Sequence, residues 1–125
     1  MRDLAVQLTH RPGELARIAA VLGHHRVNLK AVVGLAVGNH VIVRFIPDDI
    51  EAARDAFDSA GVRFEESEIV RVLLENRAGE LAMISAKLAT AGVNMRAIYL
   101  TGFADNLVEL AIASDNASLA KRLLE

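Results

Sequence analysis

Two short loops carry residue types that can hold a small charged molecule. The first reads His10, Arg11, Pro12, Gly13, Glu14 and Leu15; 66 positions later come Asn76, Arg77, Ala78, Gly79, Glu80 and Leu81. In each, a glycine stands ahead of a run of helix-forming residues, so the first N–H groups of a helix lie beside a position with no side chain to shield them. Those N–H groups have no partner inside the helix, and the helix dipole favours an anion there by about 0.3–1 kcal/mol. Asn28 and Asn94 open the next apolar runs, followed by Leu29 and Met95, and an asparagine amide offers both a carbonyl acceptor and an NH2 donor. A carboxylate received by backbone N–H groups and an ammonium received by an amide oxygen are what an amino acid asks of its receptor. Charge-assisted bonds contribute about 1.5–3 kcal/mol each against an association cost of at least about 4 kcal/mol. Three or four of them correspond to binding in the micromolar to millimolar range.

Other chemistries lack their parts. The chain has no cysteine, hence no thiol nucleophile, disulfide or cysteine-bound metal. The adjacent histidines of "GHHR" at residues 23–26 point in different directions at a helix end and have no third ligand at metal-binding spacing. No histidine has a carboxylate placed to orient it, and no serine lies in the first loop, so the sequence predicts a non-catalytic protein that needs no cofactor. A net charge of −2 with dispersed basic residues gives no footprint for nucleic acid. The five aromatic side chains are too scattered to form a base-stacking platform. The N-terminus is too polar for a signal peptide and no apolar stretch approaches membrane-spanning length, so the expectation is a cytoplasmic protein with no membrane partner.

The elements that must position the two loops are also duplicated. At an offset of 66, Val6, Leu8, Arg11, Gly13, Glu14, Leu15, Ala16, Ile18, Ala20, Leu22, Val27, Asn28 and Ala31 each meet an identical residue. The same offset carries Ile46 onto Ile112 and Asp49 onto Asp115, so the repeat is expected to run on without a gap. Leu4, Val6 and Leu8, like Val70, Val72 and Leu74, alternate as a strand does. Leu15, Ile18, Ala19 and Leu22, and Leu81, Ile84, Ser85 and Leu88, then fall at helical spacing and predict a buried stripe. Pro12 suits a first helical turn, and Gly23 and Gly92 suit the helix ends. Two β-rich runs joined by "GN" or "ADN" predict a hairpin in each copy; Asp48–Asp49 and Ser114–Asp115 then supply caps for a second helix.

Residues 62–66 predict a fourth strand, giving β-α-β-β-α-β in the first copy. The counterpart in the second copy falls past residue 125. The fold class expected is therefore α+β: two ferredoxin-like units in tandem, residues 1–66 and 67–125, each an antiparallel sheet with its helices on one face, the second lacking its last strand. The first strand of the second unit, residues 70–74, is expected to leave an open edge that another chain or a rearranged strand covers.

Two copies of R-[PA]-G-E-L-A followed, fifteen residues after the glycine, by asparagine resemble tandem ACT domains over nearly the whole chain. The second copy is similar to the serine-binding regulatory domain of phosphoglycerate dehydrogenase, through Asn76, Arg77, Gly79, Gly92, Val93, Asn94, Tyr99 and Leu100. Ala78 and His10 depart from that pattern, and Leu8 and Leu74 stand where that domain has a ligand-contacting histidine. The resemblance implies a regulatory module that binds a small amino acid at the interface between two ACT units, in a pocket between the first strand-to-helix loop and the start of the second strand. In this sequence that pocket maps onto residues 10–15 with Asn28 and Leu29, and onto residues 76–81 with Asn94 and Met95. It further implies a homodimer or units joined through their second strands, and, as an alternative, a regulatory subunit of an amino-acid biosynthetic enzyme such as acetolactate synthase, acting by protein interaction.

Overall fold

Alternating apolar residues make the first strand, β1 (Arg2–Thr9), whose Leu4, Val6 and Leu8 are all buried. Then follow α1 (Glu14–His24), β2 (Leu29–Val37), β3 (His40–Pro47), α2 (Ile50–Ser59), β4 (Glu65–Glu75), α3 (Glu80–Thr90), β5 (Met95–Ala104), β6 (Leu107–Ser114) and α4 (Ala117–Leu124). These bounds come from a computed structural model that describes every residue from Met1 to Glu125. The chain divides into two compact units, Arg2–Ser67 and Glu68–Glu125, with Met1 belonging to the second.

In the first unit β3 pairs antiparallel with β1 on one side and β2 on the other. Leu4 lies opposite Phe45 and Val6 opposite Val43, so these four share one face. Ile18 and Leu22 of α1, with Ala53, Ala56 and Phe57 of α2, pack into the same core cluster. Phe57 sits edge-on to Phe45 at 6.1 Å between ring centroids and 5.8 Å from Phe64, a favourable arrangement for aromatic rings. The second unit repeats the plan: β6 pairs with β4 and β5, and Val70, Val72, Ile112, Ile84, Leu88 and Ala120 form an aliphatic core. Both units are thus α+β, with an antiparallel sheet and both helices on one face.

Several sequence expectations are corrected. Of the fourth strand expected at residues 62–66, residues 62–64 are not strand, and 65–66 run on into the strand expected at 70–74: β4 is unbroken from Glu65 to Glu75, because nothing between them breaks a strand. Just ahead of the edge expected to be open at residues 70–74, the Met1 carbonyl accepts the Ile69 N–H at 2.7 Å. The repeat does not run on without a gap. Val37 lies opposite His40 in one hairpin and Ala104 opposite Leu107 in the other, an offset of 67. The extra residue is absorbed in β5, where Thr101 is skipped between the Leu100–Leu110 and Gly102–Glu109 pairs, a β-bulge.

The caps shift accordingly. Asp49 caps α2, accepting the Ala52 N–H at 3.1 Å, but α4 is capped by Asn116, which accepts the Leu119 N–H at 3.1 Å, and not by Asp115. Pro12 precedes the N-cap Gly13 and stands outside α1. Gly23 lies within α1, and the residue at φ 57° is Arg26, the counterpart of Gly92 at φ 75°. The helical stripes are buried only in part: Ile18, Leu22, Ile84 and Leu88 are covered, but Ala19 is exposed, Ser85 is half-buried, and Leu15 and Leu81 stay 50% and 55% exposed.

Candidate functional site

The two loops have the same shape. In the first, the His10 N–H donates to the Asn39 carbonyl at 2.9 Å and the Arg11 N–H to the Thr9 carbonyl at 2.9 Å; in the second, the Asn76 N–H donates to the Asn106 carbonyl at 2.6 Å and the Arg77 N–H to the Glu75 carbonyl at 2.9 Å. Each loop is thereby tied to the hairpin turn of its own unit. Gly13 and Gly79 then take φ of 89° and 92°, the left-handed region that a glycine enters without strain. Each is an N-cap with no side-chain bond to the helix it starts.

Glu14 and Glu80, in the first turns of α1 and α3, are largely covered. Glu14 lies 3.4 Å from the Arg17 guanidinium and 3.7 Å from that of Arg11. Glu80 lies 3.3 Å from Arg77, which also reaches Glu75 at 2.8 Å. These carboxylates complement the positive helix end, while Arg11 and Arg77 keep two-thirds of their side chains in solvent. His10, Pro12, Leu15, Ala78 and Leu81 are exposed in the same loops. The His40 ring, beside the first loop, lies 3.1 Å from the Gln7 amide, and His25 donates from Nδ1 to the Val21 carbonyl at 3.1 Å.

The asparagines lie elsewhere. The Asn28 N–H donates to the Asp48 carboxylate at 3.1 Å and its carbonyl accepts the Asp48 N–H at 2.8 Å. Asn94 makes the same reciprocal tie with Asp115, at 3.0 Å each way, and in addition donates its side-chain amide to Asp115 at 3.2 Å. Thr9 faces His40, at one end of β3, and Leu29 faces Pro47, at the other. Seven residues of strand separate those ends, roughly 24 Å at about 3.4 Å per residue. In the second unit Glu75 faces Leu107 and Met95 faces Ser114, the same span. The loop and the asparagine of one unit, expected to form a single cradle, therefore stand at opposite ends of its sheet. The reason is topological: the crossover through α1 returns the chain, so β2 starts where β1 started.

Asp48 and Asp115, which hold the asparagines, are read from the sequence only as helix caps, and Asn39 and Asn106, which anchor the loops, only as hairpin-turn residues. A one-residue gap in the repeat would have aligned both pairs. Three cavities of the fold lie away from these residues. One of about 970 Å³ in the first unit is lined by Gln7, Asp58, Arg63 and Phe64 among others, and in the second unit two of about 310 and 610 Å³ are lined chiefly by residues of β4 and of α3.

The sequence matches no family model and no curated protein. Solved structures do match. Protein BT0572 from Bacteroides thetaiotaomicron superposes with a TM-score of 0.84 at 24% identity, over 98% of this chain and 85% of that one. The regulatory subunit of aspartate kinase from Thermus thermophilus, in its ligand-free form, gives 0.65 at 15% identity over 98% and 89%, and that from Thermus flavus 0.68 at 14% over 98% and 88%. Likeness at this identity establishes the fold: the chain has the ACT-like α+β fold of these proteins.

Proposed function

We propose that this chain is a tandem ACT protein, two ferredoxin-like units with no catalytic role, that binds a small amino acid and passes its presence on as regulation. The observation that carries the reading is a contrast among the helices. Asp49 and Asn116 cap α2 and α4 with their side chains, whereas α1 and α3, each behind a positive-φ glycine, have no side-chain cap. Their first N–H groups are offered where a carboxylate can take them. Because a loop and an asparagine of one unit are a sheet length apart, the ligand is held between the loop of one unit and the asparagine of a unit in another copy. Binding then tightens association and association tightens binding, since the coupling is reciprocal. Solved neighbours named as regulatory subunits support the regulatory half of this reading.

A calorimetric titration with each of the twenty amino acids tests it. One or a few should bind in the micromolar to millimolar range, and Asn28→Ala should weaken that binding by about 1–3 kcal/mol. No heat from any amino acid at tens of millimolar overturns the proposal. The second reading, a subunit that acts by binding an enzyme, is favoured by a match to the aspartokinase alpha and beta subunits, at 18% identity and a TM-score of 0.65 over 98% of this chain and 88% of that one.

A further inference from the structure

We infer that the cavity beside β1 in the first unit is a peptide-binding site, separate from the loops and asparagines of the proposed sensor. It takes a short extended peptide, with the peptide's ammonium at Asp58 and its carboxylate on Arg63. The cavity measures about 970 Å³, at the upper end of the roughly 300–1,000 Å³ usual for small-ligand sites. One free amino acid would leave most of it empty.

The cavity exists because the chain leaves α2 without at once joining the sheet. Gly61 takes φ 70°, its N–H donates to the Asp58 carbonyl at 3.2 Å, and the Val62 N–H turns back to the Phe57 carbonyl at 2.9 Å. Val62 and Phe64 then pack against the core, with the Phe64 ring 5.8 Å from that of Phe57, and residues 62–64 form no strand. From Leu4 to Thr9, β1 has β3 along one side. Beside Val6 and Gln7 its other side borders the cavity. A strand turns alternate N–H and C=O groups away from its partner, and here those groups meet no second strand. An extended peptide about 4.8 Å away can take them, which is how peptides add to an open sheet edge.

The walls carry opposite charges that are not paired with each other. Arg2, Arg11, Arg17, Arg44 and Arg54 of this unit each reach a carboxylate, whereas Arg63 reaches none, and neither Asp58 nor Glu65 reaches a cation. The last turn of α2 ends at the cavity, and α2 alone of the four helices has no basic residue there; α1 has His24, α3 has Lys87, and α4 has Lys121 and Arg122. The negative end of the α2 dipole and the Asp58 carboxylate therefore stand together without a cation, and a peptide's ammonium supplies one. The Arg63 guanidinium is a two-pronged donor suited to the terminal carboxylate. Gln7 has its amide nitrogen 3.1 Å from His40 Nδ1, which leaves its carbonyl oxygen for a peptide N–H. Ile42, Val62 and Phe64 give the cavity apolar walls for the peptide's side chains.

Calorimetric titration of trialanine into the full chain tests the inference. Arg63→Gln and Asp58→Asn change exposed side chains outside the core, and a circular dichroism melt verifies that both variants fold. Wild type should bind trialanine in the micromolar to millimolar range, and each variant at least about tenfold more weakly. N-acetyl-trialanine, which has no ammonium, should bind wild type at least about tenfold more weakly than trialanine does. Asn28→Ala should bind trialanine as wild type does. No heat from trialanine at about ten millimolar, unaltered binding by either charge variant or of the acetylated peptide, or loss of binding in Asn28→Ala overturns the inference. The two proposals fail separately: a chain that binds trialanine and no free amino acid sinks the sensor reading alone, and one that binds an amino acid and no trialanine sinks the peptide site alone.

Discussion

The two units share their ends and differ in their middles. Loop, hairpin tie and Asn–Asp tie recur with bond lengths that agree within about 0.3 Å. The cores diverge: Phe45 and Phe57 of the first unit are replaced, at the structural offset of 67, by Ile112 and Leu124 of the second. Phe57 is fully buried against two rings, whereas Leu124 is half-buried at the end of the shorter helix. The difference teaches that the ends of these sheets are held to one geometry, while their interiors need only be filled.

The largest expected effect follows from that filling. Phe57→Ala removes a ring from the centre of the first core and should destabilise the protein by about 3–5 kcal/mol. Leu124→Ala empties a half-covered position and should cost about 1–2 kcal/mol. Urea unfolding of the two variants measures both; equal losses would break the comparison.

Much of this contrast was legible in the sequence, and its limits have physical causes. Alternation of Leu4, Val6 and Leu8 names a buried face because a strand shows each face every second residue. The Gly38–Asn39 turn names a hairpin because Gly38 takes φ 59°. Periodicity failed at Leu15 and Leu81, since a helical stripe says which residues share a face and not whether the sheet below is long enough to cover them. The Thr101 bulge was hidden by coincidence: Ile46 and Ile112 are identical at offset 66 although the pairing of the hairpins puts Ile46 in register with Ala113. The separation of loop and asparagine was open to inference from the crossover alone, because strands joined through a helix run parallel.

A pH dependence sharpens the comparison next, because the first unit holds an ionic cluster with no counterpart in the second. The Glu66 carboxylate accepts from Arg54 at 2.5 and 2.8 Å and from Arg2. Its bonds to Arg54, ahead of the opposing effect of burial and the further bond to Arg2, hold its pKa down to about 2. A carboxyl depressed in the folded state contributes stability that is present above its ordinary value of 4.5 and is lost as pH falls through about 2. Thermal melts of wild type should therefore fall across that window, and those of Glu66→Gln should start lower and fall less. The cluster is partly solvated, so the loss at neutral pH belongs with surface pairs, about 1 kcal/mol or less. Parallel curves for the two proteins would remove Glu66 from the account.

The smallest effect isolates a single backbone angle. At equivalent positions after the first helix of each unit, Arg26 holds φ 57° and Gly92 holds φ 75°. An L side chain in that region costs about 1–2 kcal/mol, while glycine costs about 0.5–1 kcal/mol in the freedom that it gives the unfolded chain. For Arg26→Gly the strain relieved exceeds that entropy, so the variant should gain about 0.5 kcal/mol. The space beside Gly92 is open, with no atom within 4 Å of an added Cβ. Gly92→Ala therefore meets backbone strain and no clash, and should lose a similar amount of about 0.5–1 kcal/mol. Opposite signs from the two substitutions, read as shifts in urea midpoint, would mean that the turn geometry is common to both units and that only the residue adopting it differs. A loss from Arg26→Gly would instead mean that its long side chain covers enough of the helix end to outweigh the strain.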